Sequence, residues 1–146
     1  MCRVLQMEPT EVGTLNARAH CLRKLHRLEE AIADYSAAID LSDPSVRAYN
    51  NRAYCLAAVG RYKEAVSDYS FVLHLDSRNS HALHNRGISF DKLQNYEAAV
   101  ADYTAVLELE PANVNAYYSR GFALGVHPPL TVFGGGLKLC SHQSLR

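Results

Sequence analysis

The chain has 146 residues, 48% of them hydrophobic and 21% charged, which is ordinary for a folded protein able to bury a core. Lys plus Arg and Asp plus Glu stand at 15 each, so no global field draws the chain to nucleic acid or to an anionic membrane. The opening MCRVLQMEPTE has no apolar run of signal-peptide length, and no stretch approaches the roughly 18 apolar residues of a membrane span.

Residues 1–11 read as the end of a truncated preceding repeat, because VLQMEPTE at 4–11 lines up with VLELEPAN at 106–113. Three full copies of one pattern follow at residues 12–45, 46–79 and 80–113, spaced 34 residues apart, and residues 114–125 begin a fourth. Self-similarity at this period predicts one supersecondary unit per copy, each burying its apolar face only against its neighbours.

Each copy reads as two helices. In the 80–113 copy, Leu83, Gly87, Phe90 and Leu93 recur at helical spacing, Gln94-Asn95 makes a turn, and Tyr96, Ala99, Val100, Tyr103, Val106, Leu107 and Leu109 resume the period. Pro111 ends the second helix, since proline cannot continue a hydrogen-bonded helix. Gly60 supplies the left-handed stop one copy earlier, and His26-Arg27 is a weaker punctuation in the first. Pro44 is displaced by one position and Ser77 stands where Pro111 does, a loss expected to matter little.

Matched columns predict the packing. Small residues at Ala19, Ala53, Gly87 and Gly121, opposite Ala31, Ala65 and Ala99, let paired helices approach closely. The large knobs are Leu22, Leu56, Phe90 and Leu124 from first helices, with Tyr35, Tyr69 and Tyr103 from second helices. Burying each is worth about 1.5–3 kcal/mol. The four cysteines (Cys2, Cys21, Cys55 and Cys140) are too scattered for a CxxC pair or a disulfide framework. Cys21 and Cys55 share a column with Ser89 and Ala123 and read as small core fillers. A reduced cytoplasmic setting is the expectation, with cilium and nucleus left open.

This pattern resembles the tetratricopeptide repeat family, whose 34-residue helix–turn–helix unit carries small-residue, aromatic and terminal-proline columns. The resemblance covers residues 4 to about 125. It implies an all-α fold, an α-solenoid of stacked antiparallel helix pairs with a right-handed superhelical sense. The family's tryptophan column holds Leu15, Tyr49, Leu83 and Tyr117. A column usually leucine holds Arg18, Arg52, Arg86 and Arg120.

That arginine column recurs together with an aspartate column, Asp34, Asp68 and Asp102. An arginine beside a core position in every copy is costly unless its charge is paired. The expectation is a register-fixing ion pair repeated along the array, within a repeat or across a junction, with ligand binding by the arginines as the alternative.

Beyond Gly125, the segment at 126–146, VHPPLTVFGGGLKLCSHQSLR, has no periodicity, a double proline and a triple glycine. A non-repeat, disordered tail is expected there. The helix at 114–125 then keeps an exposed apolar face, and self-association through this uncapped end is the expected consequence.

No catalytic motif appears: there is no GxSxG, no HExxH, and the triple glycine lacks the Lys-Ser/Thr of a phosphate loop. The chain therefore reads as a non-enzyme without cofactor or metal. His81 and His84, with His20 on a matching surface, read as polar groove residues rather than zinc ligands.

In the family, first helices line a concave groove that grips a peptide or partner helix. The resemblance places there Asn16, His20 and Arg23, then Arg47, Asn50 and Tyr54, then His81, His84 and Ile88, and last Asn115, Tyr118 and Phe122. Chaperone-binding members hold a terminal carboxylate with lysines, asparagines and an arginine. The matching positions here are Asn16, His20, Asn51, His81 and Asn85, so the cations are missing and such a clamp is not expected. The implied function is a protein–protein interaction scaffold with protein or peptide partners. The alternatives are a fragment of a ciliary or transport-complex subunit, or a truncated isoform with no independent activity. RNA binding would need a basic stripe that the neutral charge does not supply.

Overall fold

A computed structural model describes residues 11–42 and 45–125. The expectations for residues 1–10 and 126–146, and for Pro44, lie outside them. The described residues form seven α-helices and no strand: α1 Val12–Lys24, α2 Leu28–Asp40, α3 Val46–Ala58, α4 Tyr62–Leu75, α5 Ser80–Lys92, α6 Tyr96–Leu109 and α7 Val114–Ala123. The fold is an all-α solenoid. Among the described residues no helix is long and apolar enough to cross a membrane.

Local chemistry sets the helix ends. Asn79 and Asn113 each accept the third backbone N–H of α5 and α7 at 3.0 Å, satisfying a donor that the helix itself leaves free. The trailing helices α2 and α4 begin at arginines that offer no side-chain cap. Instead Arg27 and Arg61 each grip a first-turn glutamate, Glu30 at 2.6 Å and Glu64 at 2.7 Å, whose negative charge suits the positive end of the helix.

The turn inside each pair is one conformation repeated. His26, Gly60 and Gln94 all have positive φ, at 58°, 86° and 60°. The next N–H in each closes back on the helix before it: Arg27 to the Leu22 carbonyl at 3.0 Å, Arg61 to Leu56 at 2.8 Å and Asn95 to Phe90 at 2.9 Å. His26 is thus the stop in the first copy, at the cost of a left-handed backbone on a residue with a side chain. Ser77 in place of a proline leaves α4 the same 14-residue length as α6.

Contacts between helices define the shape. Each helix packs on its sequence neighbours, most extensively within the pairs α1/α2, α3/α4 and α5/α6. The leading helices α1, α3, α5 and α7 also touch one another in succession, whereas α2, α4 and α6 do not. One wall is therefore drawn together and the other splayed, which makes the leading helices the concave side. The core runs through the pair interiors: Ala19, Ala31, Ala53, Ala65 and Ala99 are 0% exposed, and Tyr35, Tyr69 and Tyr103 are buried beside them. Leu22 and Leu56 are buried in the large-knob column, but Phe90 is half-buried and Leu124 is exposed. Leu124 lies at the end of α7, after which the described residues offer no helix to cover it.

Cys55 fits its expected role. It is fully buried and free, and burial pushes its thiol up to about 11, which leaves it inert. Cys21 departs from that role, being half-buried and disulfide-bonded. Column position foresaw neither the partial exposure nor the bond.

Candidate functional site

The residues expected in the groove fall on one face of each leading helix, because positions three and four apart lie on the same side of a helix. From α1 come Asn16, His20 and Arg23; from α3 Arg47, Asn50 and Tyr54; from α5 His81, His84 and Ile88; and from α7 Asn115, Tyr118 and Phe122. Tyr54, Ile88, Tyr118 and Phe122 remain exposed despite their apolar surface, Tyr118 at 57%.

Several of these side chains meet. The Arg23 guanidinium lies 5.2 Å from the centre of the Tyr54 ring, joining α1 to α3, and its Nη2 is 3.4 Å from His20 Nδ1. Asn50 Nδ2 lies 3.4 Å from His81 Nδ1, joining α3 to α5. The His84 ring is tilted against Tyr103 with centres 5.6 Å apart. Asn16, His20, Arg47 and Asn51 line a cleft of about 540 Å³ between α1 and α3. Three atoms of these residues, Arg23 Nε, Asn50 Oδ1 and His84 Nδ1, are buried with no hydrogen-bond partner. Such atoms cost stability unless something supplies the missing bond.

The electrostatics differ along the wall. His20 is held below its ordinary value by burial first, then by the positive charges of Arg23, Lys24 and Arg47. The α1/α3 end is therefore a region of positive potential. His84 is also lowered, by burial first and then by His81, with Glu110 pulling the other way. Asn85 Nδ2 donates to the His81 carbonyl at 2.9 Å, so its amide is engaged within its own helix. Among the described residues no three His, Cys, Asp or Glu side chains come together as a metal site would require.

The arginine and aspartate columns pair inside each repeat. Arg18 grips Asp34 through Nε at 2.6 Å and Nη2 at 2.7 Å. Arg52 reaches Asp68 at 2.7 and 2.8 Å, and Arg86 reaches Asp102 at 2.8 and 2.7 Å. The two-pronged geometry uses the planar fork of the guanidinium, which a lysine lacks. Sequence reasoning missed the third bond: Arg52 Nη1 donates to Ser36 Oγ and Arg86 Nη1 to Ser70 Oγ, both at 3.1 Å and both in the preceding repeat. The signal was present as a hydroxyl after each core tyrosine, Ser36, Ser70 and Thr104. Each such arginine thus locks its own pair and the junction behind it. These pairs lie off the groove and hold its wall in place.

Stacked helix pairs with a leading-helix wall and an internal Arg–Asp lock define a helical-repeat scaffold. The chain belongs to the tetratricopeptide repeat family: a model described as "Tetratricopeptide repeat" matches residues 16–77 and one described as "TPR repeat" matches residues 89–125. Among solved structures it is similar to the Arabidopsis OM64 TPR domain, with 25% identity, a TM-score of 0.73, and coverage of 77% of this chain and 93% of that one. It is similar to the first TPR of Spaghetti (RPAP3) bound to an HSP90 peptide, SRMEEVD, with 26% identity, a TM-score of 0.75, and 83% and 96% coverage. It also resembles the second TPR domain of human RPAP3 in complex with an HSP70 peptide, SGPTIEEVD, with 27% identity, a TM-score of 0.72, and 75% and 92% coverage. No curated protein matches the chain by sequence.

Proposed function

We propose that this protein is a non-enzymatic scaffold whose concave wall binds an extended segment of a partner protein. The observation that carries the reading is the wall itself. Exposed rings at Tyr54, Tyr118 and Phe122 alternate with the exposed polar side chains of His20, Arg47 and His81. Rings offer apolar contact to a peptide's side chains, and the exposed polar groups offer hydrogen bonds to its backbone. The peptide-bound RPAP3 domains support a peptide as the kind of partner.

Positive potential from Arg23, Lys24 and Arg47 at the α1/α3 end favours a segment with acidic residues there. The three clamp positions that would need a lysine or arginine hold Asn16, His81 and Asn85 instead, and Asn85 is engaged with its own helix. The reading is therefore an internal acidic stretch and not a chain terminus held by its carboxylate. A cytoplasmic location and the omission of nucleic acid and membrane from the proposed partners rest on the sequence arguments alone.

Affinity capture from cell lysate, comparing the wild-type chain with a Tyr54→Ala/Tyr118→Ala variant, tests the proposal. A partner retained by the first and lost by the second is the expected result. An identical set of partners would move binding off the concave wall.

A further inference from the structure

The leading helices have a second face, turned away from the groove and toward the trailing helix of their own pair. In α1 this face holds Leu15, Arg18, Ala19 and Leu22, and α2 covers it: Leu15 and Leu22 are 3% exposed and Ala19 is 0%. The matching residues in α7 are Tyr117, Arg120, Gly121 and Leu124. There Tyr117 is 46% exposed and Leu124 58%. α7 itself is anchored on its other side, with Ala116 at 0% and its first turn capped by Asn113.

The charge on this face is also uncovered. Arg18, Arg52 and Arg86 each hold the aspartate of the trailing helix, while Arg120 lies over the Tyr117 ring at 5.4 Å with no carboxylate in ion-pair reach among the described residues. In the three complete pairs the covering helix carries the same signature: alanine, aspartate three residues on, then tyrosine, as in Ala31, Asp34, Tyr35 and its two repeats.

We propose that the open face of α7 docks an amphipathic helix from another protein, one that brings this alanine–carboxylate–aromatic pattern and gives Arg120 its missing carboxylate. Charge complementarity separates this occupant from the others. Residues 126–146 contain neither Asp nor Glu. In a second copy of the chain the alanine–carboxylate–aromatic pattern occurs only at Asp34, Asp68 and Asp102, whose carboxylates are already engaged by its own arginines. The surface is distinct from the peptide groove, whose α7 residues are Asn115, Tyr118 and Phe122, so either can fail without the other.

The test is a labelled synthetic peptide with the sequence of residues 95–110, the chain's own covering helix, added to the full chain and followed by anisotropy and circular dichroism. A helix of this length is marginal alone in water, so helicity is expected to appear on binding. Arg120→Gln in the chain, or Asp102→Asn in the peptide, should weaken binding at least about tenfold. The reversed pair, Arg120→Asp with an Asp102→Arg peptide, should recover part of the loss. Tyr54→Ala, a groove variant, should leave it unchanged. No binding, or binding indifferent to both Arg120→Gln and Leu124→Ser, would overturn the proposal. So would sedimentation showing a dimer that Leu124→Ser dissociates and the peptide does not, since the face would then belong to a second copy.

Discussion

Asp68 and Glu64 sit one turn apart on α4, each gripped by an arginine at 2.7 Å, yet they should behave differently. The Asp68 side chain is 8% exposed and the Glu64 side chain 57%. Removing Asp68 strands the Arg52 charge at a pair interior, whereas removing Glu64 leaves Arg61 exposed with Glu29 still 3.5 Å away. We expect Asp68→Ala to cost about 2–4 kcal/mol, partly relieved because Arg52 is itself 20% exposed, and Glu64→Ala less than about 1 kcal/mol. Thermal unfolding of the two variants side by side measures this, and equal midpoints would remove the lock from the account. His84 gives a pH effect of definite sign. Its folded-state pKa lies below the ordinary 6.5, so the unfolded chain takes up a proton that the folded one resists. Stability is full above the unfolded value and is lost as pH falls toward the folded one. Urea unfolding between pH 7 and about 5 should therefore show a decline that His84→Gln flattens.

At the scale of one helix pair, contact distance decides. A β-carbon built on Gly87 would lie 2.7 Å from Tyr103 Cε1, inside a core where that ring is 2% exposed and has nowhere to go. Gly87→Ala gains about 1 kcal/mol of helix propensity but should lose about 1–3 kcal/mol to overpacking, for a net loss. Gly13→Ala, in α1 with nothing within 4 Å of its new methyl, should instead be neutral or stabilising. Chemical denaturation of both variants checks the opposite signs. The sequence already marked this column as small. What it could not show is that at Gly87 the Tyr103 ring already fills the space a methyl would need. The paired helices, their turns and the Arg–Asp partners were legible because every copy repeats them in phase. Ser36 and Ser70 were not, because a serine after a core tyrosine is also an unremarkable solvent-side residue. Cys21 was not, because a disulfide is a matter of meeting in space. His26 was read as a weak stop because its type does not favour the left-handed backbone that the Leu22 carbonyl bond imposes on it.

For the whole molecule, the repeats set where binding can happen. Leading helices that touch in succession make a continuous wall, and they carry the exposed rings of Tyr54, Tyr118 and Phe122. The trailing helices bury one tyrosine each in the core, Tyr35, Tyr69 and Tyr103. Of the twelve groove positions that the family resemblance named, His20 and Arg47 were readable as polar but not as sharing one cleft. Their convergence depends on how α1 and α3 lean together. The central claim is that partners are gripped on the inside of this curve. Hydroxyl-radical footprinting of the chain with and without a captured partner tests it most directly, because it reads side chains on both walls at once. The account predicts protection at Tyr54, His81, Tyr118 and Phe122 with no change at Tyr96, which is 47% exposed on α6. Protection at Tyr96 with the four concave residues still labelled would contradict it.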